Sequence, residues 1–324
     1  MGMAKIYKKN SFFHDNSRSY AIFVDIEIIT DYKVLNMMKK IQGGIFSSIL
    51  CGALSTMVLP GCTGNRSAEG SRLSVDSIPM DTTVYLDASN PKAPKCQIKI
   101  NFKYLRSAEA NDSLTEVINK VLEEAFSSAH AGAASPQAFV SAIKESLASD
   151  YLKDVQKNYE TDVKNGMKAD EIPDWYNYEY EINSELTEGK DSIWNYSVTT
   201  FQYTGGAHPS SWGHWVNVDA RNGRELTKEK VFRKGTDEDI CKLIFVRLLE
   251  EANRKLETDT LTCLEGLNQM GILLDTDLYV PDNFRIGKDG VTFLYNQYDI
   301  APRPMGQFEL TVPYEEINTY LIKK

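Results

Sequence analysis

Cysteine and histidine are scarce in this sequence, five and four among 324 residues. The first count excludes a disulfide-dense scaffold, and the second leaves little room for a metal centre built on imidazole. Glycine (20) and proline (11) are too few for a collagen-like or low-complexity chain. Positive charge is in deficit: 36 Lys and Arg face 45 Asp and Glu, a net charge of −9, so nucleic acid is not an expected partner. What is present is ordinary for a folded protein, 42% apolar and 10% aromatic residues, on a chain long for a single domain.

A short basic start stands at Met37-Met38-Lys39-Lys40. An uncharged run follows from Ile41 to Val58, then Leu59-Pro60-Gly61-Cys62. Positive, apolar, then small residues before a cut is the order of a secretory signal. Cys62 one step past Gly61 makes it the lipoprotein form. Diacylglycerol would alkylate the thiol, cleavage would fall before Cys62, and the new amine would be acylated. Pro60 stands where Ala, Ser or Thr is commoner. A membrane-spanning helix competes, since a run of this length rises about 27 Å, but Gly43, Gly44, Ser47, Ser48, Gly52 and Ser55 make it a weak span. A buried core helix would leave Cys62 a coincidence. Thr63, not Asp, follows Cys62, which by analogy with lipoprotein sorting favours an outer membrane, facing the periplasm.

Residues 1–36 contain Asp15, Asp25, Glu27 and Asp31, which do not suit a short positive start. They read as a mis-called extension ahead of a true start at Met37 or Met38, followed by a signal peptide over 37–61 and a polar tether over 62–73. Without residues 1–61 the chain carries 29 basic and 41 acidic residues, a net charge of −12. Such a domain attracts cationic partners, mainly through association rate. Cys96, Cys241 and Cys263 then remain. An odd number leaves at least one thiol free, with a Cys241–Cys263 bridge or buried free thiols as the alternatives.

The mature chain reads as α+β, with mixed or antiparallel sheets, packed helices and two subdomains, 74–202 and 203–324. Gln97–Tyr104 alternates with period 2, as a strand does. Asp112 or Ser113 caps a helix, and Ser135-Pro136 opens a longer one to about 165. Strands Tyr176–Leu186 and Ile193–Tyr203 flank a turn at 188–191. The second half holds a strand over Trp212–Asp219 and a tight turn at Asn222-Gly223. A helix starting at Asp237 or Glu238 carries Ile240, Leu243, Ile244, Val246, Leu248 and Leu249 inside. A hairpin over 284–298, a strand over 307–312 and a closing helix over 314–321 complete it.

Tyr203-Thr204-Gly205-Gly206-Ala207-His208, with Asp219, Gly223 and Glu225-Leu226-Thr227 behind it, resembles the C-terminal domain of the RsiV family. So does Phe293-Leu294-Tyr295-Asn296-Gln297-Tyr298-Asp299-Ile300-Ala301-Pro302, with Gly306 and Val312-Pro313-Tyr314 after it. Residues 80–200 resemble the domain usually found upstream. RsiV is an anti-sigma factor whose extracytoplasmic part senses lysozyme, and the same domain accompanies a PdaC-type peptidoglycan deacetylase. The resemblance implies a lipid-anchored envelope module that binds or senses lysozyme or peptidoglycan. Neither RsiV's sigma-binding segment nor the deacetylase's catalytic module, with its His and Asp metal ligands, has a counterpart here. Binding without catalysis and without a cofactor is therefore the expectation. A glycan-modifying enzyme centred on His208, or a structural accessory of an envelope complex, are the alternatives.

The candidate binding residues are Thr204, Gly205, Gly206, Ala207, His208, Trp212 and Tyr298. Gly205-Gly206 lets a backbone approach a ligand, or lets a strand bend. His208 departs from relatives in preceding Pro209; hydrogen bonding within its own loop is the plainest reading. With His214 it makes a poor metal pair, lacking an obvious third ligand. Ten aromatic residues crowd 175–215, where half belong to a core and the rest are available as anchors. Tyr295 and Tyr298, with Pro302 and Pro304, read as a packed corner in preference to a rim.

Overall fold

The computed structural model describes residues 73–109, 112–168 and 171–322. The extension, the signal segment, Cys62 and nearly all of the tether lie outside the described residues. Among the described residues no helix is long and apolar enough to cross a membrane.

The first layer is a mixed six-stranded sheet, α+β in class as expected, in the order β1-β2-β3-β4-β5-β6. Strands β1 (Leu73–Tyr85) and β2 (Lys95–Ser107) form a long antiparallel hairpin. The chain then crosses over through two helices, and β3 (Tyr178–Glu188) returns parallel to β2. Helix α1 (Ser113–Ser127) begins where the Asp112 carboxylate accepts from the Leu114 and Thr115 amides. Helix α2 (Pro136–Lys164) begins where Ser135 accepts from the Ala138 amide, with Pro136 already inside the first turn. Both bury one face on the sheet. Phe102 of β2 meets Phe126 at 5.1 Å and Phe139 at 4.8 Å between ring centroids. Strands β4 (Ile193–Thr204), β5 (Ser210–Asp219) and the two-residue β6 (Arg224–Glu225) continue the sheet antiparallel. The sheet thus runs unbroken across position 203.

The second layer is an antiparallel sheet of β7 (Phe284–Ile286), β8 (Gly290–Tyr295) and β9 (Phe308–Pro313). Four helices accompany it: α3 (Lys228–Val231), α4 (Asp237–Leu256), α5 (Leu264–Gln269) and α6 (Tyr314–Ile317). Helix α4 inserts Ile240, Ile244, Leu248 and Ala252 into the core, a regular i, i+4 stripe. Val246 corrects the sequence reading. Two residues from both Ile244 and Leu248, it falls on the opposite face and is exposed.

Two hydrophobic clusters result, one between α1, α2 and the large sheet, the other around β7–β9 and α4. Side-chain amides stitch them together. Asn217 of β5 donates to Phe284 O at 2.9 Å and accepts from the Ile286 amide at 2.8 Å. Asn283 answers by donating to Gly213 O at 2.8 Å and accepting from the Trp215 amide at 2.7 Å. Asn296 takes both groups of Gly213, and Asn195 donates to Ile286 O. An amide side chain carries both a donor and an acceptor, so it substitutes for a missing neighbouring strand. A Cβ on Gly213 would come within 2.7 Å of Leu294 Cδ2, so any other residue in this close seam displaces that side chain.

Candidate functional site

The end of the β4–β5 hairpin is built around one constrained residue. Thr204 closes β4 opposite Tyr178. Gly205 has φ +77°, and a Cβ there would stand 2.2 Å from the Trp175 carbonyl oxygen. That position needs glycine for backbone packing, whatever the loop binds. Thr204 and Gly206 are half-buried; Ala207 and His208 are exposed. His208 makes no side-chain hydrogen bond or ion pair among the described residues, so the bond within its own loop is not formed. Pro209 O accepts from the Arg303 guanidinium at 3.3 Å, which ties the loop to the second layer.

Trp212 pairs with Thr200 across the β4–β5 ladder. Even-numbered residues of β5 face the helices. Val216 and Val218 lie in the first core, whereas Trp212 and His214 are exposed. Tyr298 is 70% exposed with φ +70°, a strained conformation for a bulky residue. Its loop is held from within, since the Asp299 carboxylate accepts from the Asn296 amide at 2.7 Å. Tyr295, by contrast, is fully buried and donates to Tyr279 O. The Tyr295–Tyr298 pair is therefore split, one ring in the corner and one in solvent. The structure brings the two segments together at Gly213 and Asn296, which places Trp212's strand beside Tyr298's loop.

The other aromatic residues divide as a half-core set should. Tyr176, Tyr178, Tyr180, Tyr196 and Trp215 are buried, and Trp175 is exposed while stacking on Tyr176 at 3.7 Å. All three described cysteines are free, and burial pushes the Cys96 thiol up to about 12, which makes it inert. Among the described residues no group of three or more His, Cys, Asp or Glu side chains is placed to hold a metal ion.

Sequence reasoning passed over the amides. Asn283 stands just before the hairpin read over 284–298, Asn296 within it and Gln307 at the start of the last strand, and the β5 partners of Asn283 and Asn296 lie 68 and 83 positions away. It also passed over a cleft of about 490 Å³ along the outer edge of β5, lined by His214, Glu225, Tyr279, Asp282 and Asp299 among others. His214 is exposed overall, yet the walls around its ring remove enough water to lower its pKa, while Glu225 pulls the other way.

Residues 229–315, from α3 into α6, match the model of a protein family of unknown function, DUF3298. A solved member of that family from Bacteroides fragilis NCTC 9343 is 30% identical, with a TM-score of 0.68 over 78% of this chain and 94% of that one. The chain belongs to the DUF3298 family. A second solved DUF3298 protein, from Pseudomonas aeruginosa PAO1, is 15% identical over 77% of this chain and 95% of that one, with a TM-score of 0.47. No curated protein matches the chain. Upstream of the DUF3298 segment, residues 90–211 match the model described as Deacetylase PdaC. Asn283 and Asn296 lie inside the DUF3298 match, whereas Gly213, Trp215 and Asn217 lie between the two matched segments.

Proposed function

We propose that this DUF3298 protein is a lipid-anchored, extracytoplasmic module of the cell envelope that binds or senses its ligand without transforming it. The ligand is a wall glycan or a lysozyme-like cationic protein. Support for the envelope comes from the PdaC-type and DUF3298 matches together with the Leu59-Pro60-Gly61-Cys62 sequence. The observation that carries the binding reading is the exposure of Trp212 and Tyr298 on two segments locked together at Gly213 and Asn296. Rigidly held aromatic rings are the usual anchors of a recognition surface. Among the described residues His208 makes no side-chain hydrogen bond or ion pair with a nucleophile or carboxylate, which disfavours the enzymatic alternative. Anchoring through two or three acyl chains on Cys62, at about 0.8 kcal/mol per buried CH₂, gives stable membrane attachment, and Thr63 fits outer-membrane sorting.

The test has two parts. Cys62→Ala should leave the protein unprocessed or unanchored, and mass spectrometry should find the wild-type chain beginning at an acylated Cys62. Co-sedimentation with insoluble peptidoglycan and capture by immobilised lysozyme should show saturable binding to one of them, with no turnover of glycan fragments. Turnover, or absence of binding to both, would overturn the reading.

A further inference from the structure

The cleft along β5 lies where the two hydrophobic cores meet, a common place for ligand sites, and its volume of about 490 Å³ suits a small ligand. One wall is His214 and Glu225 of the first sheet; the other is Tyr279, Asp282 and Asp299, beside the second. These groups converge. Asp299 and Asp282 stand close enough to Tyr279 to add to the desolvation that keeps its phenol protonated, and Glu225 acts on His214. The Lys228 ammonium pairs with Asp282 at 3.0 Å, while Glu225 has no ion pair among the described residues. Two exposed rings are chain neighbours of cleft residues: Trp212 stands two residues before His214 on β5, and Tyr298 immediately precedes Asp299.

This chemistry selects among ligands. An apolar molecule would cover the Glu225 carboxylate, the His214 imidazole and the Tyr279 phenol without giving them partners. An anion would meet like charge. A sugar offers hydroxyl donors to the carboxylates, acceptors to the phenol, and a C–H face to an aromatic ring. We propose that the cleft is a saccharide subsite that takes one or more units of a glycan chain, with Trp212 and Tyr298 as the flanking rings. The proposal rests on the binding-module reading above and assigns its ligand to carbohydrate.

Titration calorimetry of the full chain in detergent with a soluble tetramer of N-acetylglucosamine tests it, with lysozyme capture and wall-glycan co-sedimentation run alongside. Saturable sugar binding is expected. The paired substitutions Glu225→Gln and His214→Gln should weaken it by at least tenfold, with the melting temperature and any lysozyme capture unchanged. Sugar binding that survives both substitutions would remove the site from this cleft and leave the binding-module reading standing. Lysozyme capture that collapses in the same variant, with no sugar bound by the wild type, would make the cleft a socket for protein and overturn the proposal. Absence of sugar, wall-glycan and lysozyme binding in the wild type would overturn the broader reading itself.

Discussion

Along β1, the odd-numbered residues turn their backbone groups outward; along β5 the odd-numbered residues do the same, but into the second layer. The orientation at β1 follows from the ladder. The Lys103 amide donates to Ser184 Oγ on the β3 side, so Ser77, its partner across the β1–β2 pair, faces away from β2. At that outer edge the Ser77 amide is taken by the Asp76 carboxylate at 2.8 Å, and Pro79 has no amide to offer. Two successive outward donors are thereby removed from the middle of the strand, a standard protection against edge-to-edge pairing. At β5 the donors are kept and satisfied instead. Asn296 and Asn283 accept from the Gly213 and Trp215 amides, and the Asn217 carbonyl is satisfied too, by the Leu226 amide at 2.7 Å. Deleting donors leaves a bare edge. Satisfying them with side chains from another layer builds a seam, and the cleft and the backbone segments that carry Trp212 and Tyr298 lie beside it.

Breaking the seam has the largest expected effect. Asn217→Ala leaves Phe284 O and the Ile286 amide buried without partners, at about 1–3 kcal/mol for each group, so about 2–6 kcal/mol in all. Chemical denaturation should show that loss; a loss below about 1 kcal/mol would mean that the seam does not hold the two layers together.

Breaking the other edge should change association and not stability. Asp76→Ala with Pro79→Val restores two outward donors on a strand with alternating apolar residues. Sedimentation should then show concentration-dependent self-association, with a stability change within about 1 kcal/mol. A variant that stays as dispersed as the wild type would show that these residues do not guard the edge.

The smallest expected effect is on pH dependence. The folded pKa of His214 is lowered from the ordinary value of about 6.5. As pH falls through that value the unfolded chain takes the proton first, so stability declines until the folded pKa is reached and is flat below it. His214→Gln should remove this contribution, seen as the difference between the two proteins' stability curves over that range. Identical curves would show that the cleft walls do not desolvate the ring.

The periodic parts of this fold were legible in the sequence. Asp112 and Ser135-Pro136 mark their helices because capping is local chemistry, and Gln97–Tyr104 alternates because one face of β2 is buried. Helix α5 was not, being six residues long with no side-chain cap at Cys263. The seam was not legible for a different reason. Asparagine is a turn residue by composition, and Asn217 differs from any other only through partners 67 and 69 positions away. The site was half legible. Tyr298 stands in a recognisable motif and Trp212 opens a legible strand, but Gly205 owes its identity to the Trp175 carbonyl, and the cleft residues Tyr279 and Asp282 lie in a stretch without periodicity.

The central claim is that the rim beside β5 binds and does not merely support the fold. Comparing Trp212→Ala with the wild type, in binding to peptidoglycan or lysozyme, whichever the protein takes, and in melting temperature, tests this most directly. Truncating an anchor at a recognition surface commonly costs about 2 kcal/mol or more, so affinity should fall at least about tenfold while the melting temperature changes little. An unchanged affinity with earlier melting would make Trp212 part of the scaffold and place the binding surface elsewhere.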